Sequence, residues 1–174
     1  MFIDPVLNDE CYDGFCNAIL WPVLHAFNDD VAFTNRNYRA YVEYNKIFCD
    51  KVCEIVEDGD IVWVHDYHLM LLPEMLRKNS SKKFKIMFFL HIPFASGNTM
   101  EALTCRKEIV NGMMHSDLVA FHSFDYALNF RDTCIMNNIE SPAKLDAIPI
   151  GIDPTMFRDT LKDQKTTNRI EELR

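Results

Sequence analysis

The sequence predicts an α/β fold in which a mostly parallel sheet is flanked by helices. Residues 61–64 and 86–90 are short apolar runs rich in β-branched and aromatic residues, and polar turns bound both, which is typical of strands buried on both faces. Between these runs, apolar residues from Leu69 to Leu76 recur at helical spacing. A helix between two strands implies a parallel pair, because it returns the chain to the edge where the first strand began.

The chain before the first strand predicts one clear helix. The segment up to about Ile19 shows no complete element. Residues 37–56 predict a helix because their aromatic and branched residues fall mostly on one face, and Asn35 or Asn37 is the expected N-cap. The acidic, glycine-containing stretch 57–60 then turns the chain into the first strand.

The chain after the second strand predicts two further strands and their helices. Residues 100–114 and 126–136 show helical spacing of apolar side chains, and 117–122 is a third short apolar run. Residues 147–154 predict a fourth strand that leads into a turn. The tail, 158–174, is charged and ends in a helical pattern.

Polar side chains follow each of the first three predicted strands. His65, Asp66 and His68 follow the first strand, His91 follows the second, and His122 ends the third. In open α/β sheets, ligands bind beyond the carboxyl ends of the strands. The sequence therefore predicts a binding cleft with these side chains in its floor.

The composition predicts a globular protein and excludes two kinds of binding surface. Hydrophobic residues make up 48% of the chain, and the formal net charge is −8. A nucleic-acid or anionic-membrane surface needs clustered Lys and Arg, so we expect neither partner. The one basic cluster, from Arg77 to Lys85, is interpreted as a solvated turn.

The absence of certain sequence motifs predicts the cellular compartment and the state of the cysteines. No leader-like segment and no apolar run of membrane-spanning length is present, so we expect a cytoplasmic protein. The six cysteines show no Cys-x2-Cys zinc spacing, and we expect free, mostly buried thiols.

The motifs exclude several common site chemistries. The histidines and aspartate at 65–68 lack further ligands at metal-binding spacing, so no metal is expected. No Gly-x-Ser-x-Gly elbow, Gly-x-Gly-x-x-Gly turn or P-loop is present. What remains is a polar cleft for a hydroxylated ligand, in which Asp66 can orient hydroxyls and His91 can donate to one.

Tyr12 and Trp21 have two possible interpretations. Each carries an apolar ring with a polar tip, which suits the faces and hydroxyls of a sugar. Composition alone favours core packing, because both residue types are highly buried on average.

Five blocks of sequence, in a fixed order from about Tyr12 to Phe157, resemble the trehalose-6-phosphate synthase family, glycosyltransferase family 20. The blocks are 20–25 (LWPVLH), 60–77 (DIVWVHDYHLMLLPEMLR), 88–94 (FFLHIPF), 117–127 (DLVAFHSFDYA) and 148–154 (IPIGIDP). The resemblance implies a retaining glycosyltransferase of the two-domain GT-B architecture that moves glucose from UDP-glucose onto glucose 6-phosphate. It also implies a Rossmann-like sheet in the acceptor-side domain, and neither a metal nor another cofactor.

The resemblance implies roles for four residues. Tyr12 and Trp21 match family positions that bind glucose 6-phosphate. Asp66 matches the aspartate that contacts the acceptor sugar, and His91 matches a histidine placed near the donor glucose. Asp66 and His91 are therefore the expected catalytic pair, with catalysis mainly by positioning and charge stabilisation.

The resemblance also implies a domain organisation. Residues 1–157 correspond to part of the N-terminal, acceptor-side domain, and 158–174 to a charged helical segment that leads toward a nucleotide-sugar domain. We expect UDP-glucose to be held mainly by that second domain, so the chain alone should not transfer glucose. Association with itself or with other trehalose-pathway subunits is also expected.

Departures from the family pattern leave two alternatives open. Ala95 stands where the family usually has proline, and the loop from Gly97 to Met100 differs from the usual one. The first alternative is a non-catalytic, synthase-like regulatory subunit that binds sugar phosphate. The second is a domain of another sugar-nucleotide enzyme, which the five ordered blocks disfavour.

Overall fold

The computed structural model describes residues 2–27, 31–140 and 143–174 of the 174-residue chain. Across these residues one sheet forms the centre of the fold, and each pair of neighbouring strands is parallel. The predicted α/β class is therefore confirmed. The strands, in the order in which they lie side by side, are β1 (Ile61–His65), β2 (Lys85–Leu90), β3 (Leu118–Phe121) and β4 (Lys144–Ala147).

Helices precede the sheet, connect its strands and follow it. A π-helical segment, Tyr12–Leu20, continues the first helix, and a 3-10 turn, Tyr67–Leu69, follows β1. The α-helices are α1 (Pro5–Cys11), α2 (Trp21–Leu24), α3 (Asn35–Ile55), α4 (Leu72–Asn79), α5 (Gly97–Met100), α6 (Arg106–Met114), α7 (Phe124–Met136), α8 (Pro154–Thr160) and α9 (Gln164–Glu172).

The core lies around the two central strands. Ile86, Phe88 and Leu90 of β2 are almost completely buried, as are Val119 and Phe121 of β3. Helix α4 contacts both α3 and α6. Near-continuous burial along a strand requires cover on both faces of the sheet, which is why these strands read as apolar runs in the sequence.

The prediction of a fourth strand over 147–154 is wrong in position. Strand β4 ends at Ala147, and the chain beyond it is irregular up to α8. Pro149 has no amide hydrogen to donate to a ladder. Ile148, Ile150 and Ile152 are 45%, 76% and 74% exposed, so this apolar alternation marks no buried strand face.

Two helix predictions are corrected at their ends. The predicted helix 100–114 is divided into α5 and α6, because Leu103 N donates to Met100 O at 3.0 Å in a tight turn that buries both side chains. The N-cap of α3 is Thr34, whose hydroxyl accepts from the amide of Asn37, and neither predicted asparagine caps the helix.

The first segment of the chain is helical, although the sequence showed no complete element there. Asp4 caps α1, and its carboxylate accepts from the amides of Val6 and Leu7. Helix, π-helical segment and second helix then follow without a break from Pro5 to Leu24.

The six cysteines are free, as predicted, and all except Cys53 are buried. Burial raises the pKa of the thiols of Cys105 and Cys134 to about 12. These two thiols are therefore neutral and pack as small apolar groups.

At Gly112, helix α6 closely approaches the residues that follow the 3-10 turn. A Cβ atom at this position would lie 3.0 Å from the Cα of Leu71 and closer still to the carbonyl oxygen of Met70. Both neighbours are backbone, so relief requires moving the helix away from the segment that leads out of the turn.

We expect Gly112→Ala to lower the free energy of unfolding by about 1–3 kcal/mol, because overpacking outweighs the higher helix propensity of alanine. Urea unfolding followed by circular dichroism measures the change. Gly151→Ala is the matched control, since no atom lies within 4 Å of its added Cβ. Equal unfolding midpoints for the two variants would contradict the close approach.

Candidate functional site

Three histidines lie together at the carboxyl edge of the sheet, as the strand order predicts. His65 ends β1, His91 follows β2 and His122 follows β3. His65 Nδ1 and His91 Nε2 lie 2.9 Å apart and share a hydrogen bond, and the ring centroids of His91 and His122 are 5.7 Å apart. The edge therefore presents a row of imidazole rings, with the rings of His65 and His91 joined directly.

Asp66 occupies a strained backbone conformation between this row and the turn that follows. Its φ of 72° and ψ of 173° lie in a region that favours glycine and costs other residues about 1–3 kcal/mol. Two hydrogen bonds fix the residue: its amide donates to Phe89 O at 2.8 Å, and its Oδ1 accepts from the amide of His91 at 3.2 Å. A carboxylate has further lone pairs, so Asp66 retains the capacity to accept from a ligand hydroxyl.

The buried phenol of Tyr41 stabilises the turn that follows Asp66. Its hydroxyl donates to Tyr67 O at 2.8 Å and accepts from the amide of Met70 at 2.9 Å. Burial raises the pKa of Tyr41 well above its usual value, so the hydroxyl keeps the proton that it donates. Asn45, one helical turn along α3, adds a bond from Nδ2 to His68 O at 3.0 Å.

The π-helical segment brings Tyr12, Asn17 and Trp21 to the same side of the continuous helical segment from Pro5 to Leu24. In an α-helix with about 3.6 residues per turn, residues nine positions apart would lie on opposite faces. Here the amide of Trp21 donates to Cys16 O, which is the i→i+5 pattern of a wider turn. Buried residues recur at the corresponding spacing: Cys11, Phe15, Cys16, Ile19, Leu20, Val23 and Leu24.

These three residues contact the turn that follows Asp66. The Tyr12 ring stacks on His68 with centroids 5.2 Å apart, and Trp21 packs edge-on against Tyr67 at 5.6 Å. The Tyr67 hydroxyl donates to Asn17 Oδ1 at 3.0 Å. A cavity of about 250 Å³ opens between Asn17, Trp21 and Tyr67.

Tyr12 and Trp21 are not core residues, although composition alone favoured that interpretation. They are 43% and 41% exposed, and each ring faces the turn that Asp66 begins. The structure thus joins these two predicted residues to Asp66 through Tyr67 and His68, and joins Asp66 to His91 directly.

The charge state of the site follows from burial. Desolvation lowers the pKa of His68, partly offset by the negative charge of Asp66. Desolvation and the neighbouring His91 lower the pKa of His65. Burial, with Tyr12 and Asp66 nearby, raises the pKa of Tyr67 to about 12. At neutral pH both histidines are therefore neutral and the phenol keeps its proton.

Sequence reasoning missed Asn17 and Tyr67. Tyr67 lies within the block that carries Asp66, but its role as the wall of a cavity depends on packing across the first helix. Buried side chains in this segment recur every four or five residues, which indicates a π-helix. Only that pattern places Asn17 on the same side as Tyr12 and Trp21. Within 2–27, 31–140 and 143–174, no three His, Cys, Asp or Glu side chains are placed to hold a metal ion.

The fold is an α/β domain with a parallel sheet, and Tyr12, Trp21 and Tyr67 form an aromatic wall beside the edge at which domains of this class bind their ligands. The sequence profile of glycosyltransferase family 20 matches residues 1–174, and the chain belongs to this family. The family predicted from the five sequence blocks is therefore confirmed.

The chain is similar to proteins of known activity, and it spans about two fifths of their length. It is 71% identical over 174 residues to an alpha,alpha-trehalose-phosphate synthase (UDP-forming) of Encephalitozoon cuniculi, covering 100% of this chain and 38% of that protein. It is 44% identical over 187 residues to the enzyme of the same name from Emericella nidulans, covering 99% of this chain and 37% of that protein.

A solved structure extends this similarity to the fold. A trehalose-6-phosphate protein from E. coli, bound with UDP-2-fluoro glucose, superposes with a TM-score of 0.86 at 30% identity, covering 98% of this chain and 41% of that one. The Rossmann-like fold expected for part of a GT-B domain is confirmed. No described helix combines the length and the hydropathy that a membrane span needs.

We expect acid to destabilise the fold through His68. Its Nε2 is buried without a hydrogen-bond partner among the described residues, and its folded pKa lies below the ordinary 6.5. The unfolded chain therefore binds more protons between these two values, so stability is complete above about pH 6.5 and falls as the pH falls below it. His68→Phe keeps the stacking on Tyr12 and should flatten the melting temperature between about pH 7 and pH 5. Identical pH profiles would contradict this assignment.

We expect Tyr41→Phe to lower the free energy of unfolding by about 1–3 kcal/mol, because the Met70 amide and the Tyr67 carbonyl each lose a buried partner. Hydrogen exchange of the Met70 amide should also accelerate. Tyr44→Phe on the same helix is the control, since its hydroxyl makes no hydrogen bond with the described residues. Unchanged exchange at Met70 would show that Tyr41 does not hold the turn.

Proposed function

We propose that the chain is the acceptor-side part of a UDP-forming trehalose-phosphate synthase, which transfers glucose from UDP-glucose to glucose 6-phosphate with retention of configuration. The observation that carries the proposal is the continuous site formed by Asp66, His91 and the aromatic wall of Tyr12, Trp21 and Tyr67. Family membership and the similarity to named synthases support it.

The aromatic wall suits the acceptor sugar. Aromatic rings pack against the apolar faces of a sugar, while a phenol and an amide hydrogen-bond to its hydroxyls. Tyr12 and Trp21 supply the rings, and Tyr67 and Asn17 supply a hydroxyl and an amide beside the same cavity. A solved relative from Burkholderia xenovorans, with a TM-score of 0.83 and 28% identity over 91% of this chain and 38% of its own, is in complex with glucose-6-phosphate.

Asp66 and His91 are proposed to act at the reacting end of the acceptor. Asp66 accepts a hydrogen bond from an acceptor hydroxyl and holds that oxygen in a fixed position. His91 donates to a sugar hydroxyl of the donor. Since the backbone amide of His91 binds the carboxylate of Asp66, the two side chains hold the two sugars in a defined relation.

The proton between His65 and His91 decides whether His91 can donate. If His65 Nδ1 carries it and donates to His91 Nε2, the proton of neutral His91 lies on Nδ1, which is then a donor. We therefore propose that His65 positions His91 and fixes its tautomer. Neither a metal nor another cofactor is part of the proposal.

The negative charges of the proposed substrates must be neutralised by residues outside the aromatic wall. The site residues named above include a carboxylate and neutral rings but no Lys or Arg, whereas glucose 6-phosphate and UDP-glucose carry phosphate groups. We propose that this chain recognises the sugar of the acceptor and that the nucleotide sugar is held by a second domain. The boundary near residue 157, the cytoplasmic location and association with other subunits of the pathway stay predictions.

Calorimetric titration of the chain with glucose 6-phosphate and with glucose tests the proposal. Both should bind with similar, weakly salt-dependent affinity, because the contacts are to the sugar. Trp21→Ala and Asp66→Asn should each weaken binding about tenfold or more, and Asp159→Asn, an exposed change on α8, should leave it unchanged.

Two outcomes would count against the proposal. Loss of binding in Asp159→Asn to the same extent would show a non-specific effect. Binding of glucose that survives in both site variants would place the sugar elsewhere. Circular dichroism of each variant establishes that it is folded before its titration is interpreted.

A further inference from the structure

A second cavity lies at the opposite edge of the sheet from the sugar site. Its volume is about 840 Å³, and it is open to solvent on one side. Lys85 begins β2, and Ser116 and Asp117 directly precede β3, so the cavity opens at the amino ends of these strands. Strands of this length span roughly 15–20 Å, which separates it from His91 and His122 at the carboxyl ends.

Four cations surround this cavity in a chain of net charge −8: Arg77, Lys82, Lys83 and Lys85. The single lining carboxylate, Asp117, already accepts three hydrogen bonds. It accepts from Arg77 at 2.6 Å, from Lys85 at 2.9 Å and from the amide of Ile86 at 2.8 Å. The lining therefore carries an excess of positive charge.

Lys82, Lys83 and Lys85 are exposed, as the prediction of a solvated turn requires, and Arg77 gives the cavity beside them a fixed frame. Arg77 also donates to His115 O at 3.2 Å and to Phe84 O at 2.9 Å, so its guanidinium ties the helix and both strand starts together. Burial opposes ionisation of Asp117, but the Ile86 amide, Lys85 and Arg77 together lower its pKa below the ordinary value. Asp117 thus stays charged and holds the frame.

Two donors that line the cavity have no hydrogen-bond partner among the described residues. The Lys83 ammonium makes no hydrogen bond or ion pair with the described residues, although its amide binds Asp58. Ser116 is 4% exposed, lines the cavity, and its Oγ has no hydrogen-bond partner in the described part of the chain. A buried hydroxyl without a partner is unfavourable, and a ligand that accepts its proton removes that cost.

We propose that this cavity binds a small phosphoryl-bearing anion at a second site, separate from the sugar site. Lysine ammonium groups and a serine hydroxyl are common phosphate donors, and each of Lys82 and Lys85 retains protons beyond the bonds it already makes. The volume lies within the range of small-molecule sites.

Titration with inorganic pyrophosphate tests the site in the Trp21→Ala background, where the sugar site is disabled. We expect saturable binding that weakens with ionic strength. Lys83→Gln should reduce the affinity about tenfold, and Ser116→Ala should reduce it several-fold, because each removes one donor to the anion. Lys165→Gln, an exposed change on α9, is the matched control. Glucose 6-phosphate in the same background distinguishes a sugar phosphate from free diphosphate.

Stability separates a binding role from a structural one. Since the Ser116 hydroxyl has no partner among the described residues, Ser116→Ala should not lower the free energy of unfolding. Equal affinity of wild type and Lys83→Gln, or equal loss in Lys165→Gln, would overturn the proposal. Tighter binding of a poly-glutamate peptide than of pyrophosphate, with the same sensitivity to Lys83→Gln, would overturn it in favour of a protein partner.

Discussion

The buried hydroxyl of Tyr41 is the interaction on which the site depends. It binds the carbonyl of Tyr67 and the amide of Met70, and so closes the turn that begins at Asp66. That turn presents Asp66 to the strand edge, and Tyr67 and His68 to the first helix. A turn with unpaired buried backbone groups would open toward solvent, whereas a phenol fixed in the core holds it at low entropic cost. The position of the turn is therefore set by α3, which carries Tyr41.

A second constraint is the direction of the strands. Because all four are parallel, every amino end lies at one edge and every carboxyl end at the other. His65, His91 and His122 collect with Asp66 at the carboxyl edge, whereas Lys82, Lys83, Lys85, Arg77 and Ser116 collect at the amino edge. One topology thus separates two chemically different surfaces. Asp66, whose backbone is strained, also links the ends of β1 and β2. It is hydrogen-bonded to β2 and to His91, the residue that follows β2.

The sequence predicted β2 and β3 because burial on both faces leaves continuous apolar runs. The run at β1 also marks a strand, but the prediction that both of its faces are buried is wrong, since Ile61 and Trp63 are 66% and 57% exposed. The sequence failed at β4, where Ile148, Ile150 and Ile152 alternate like a strand yet are exposed. It also gave no helix before Ile19, since the buried residues there repeat every four to five positions and not every 3.6. The location of Asp66 and His91 at one edge of the sheet was predictable, because each follows a parallel strand. Tyr67 and Asn17 were not, because their role depends on a packing contact between distant segments.

The distribution of charge explains why the proposed transfer needs more than this chain. The aromatic wall and Asp66 can select a sugar, because stacking and hydroxyl recognition require rings and acceptors. They cannot neutralise a phosphate, and a carboxylate beside a phosphate is unfavourable unless cations lie close by. Lysine and arginine near the sheet lie instead at its amino edge, a strand's length away. In the proposed reaction, stabilisation of a leaving diphosphate is therefore expected from groups outside these site residues, which would divide acceptor recognition and charge stabilisation between two structural units.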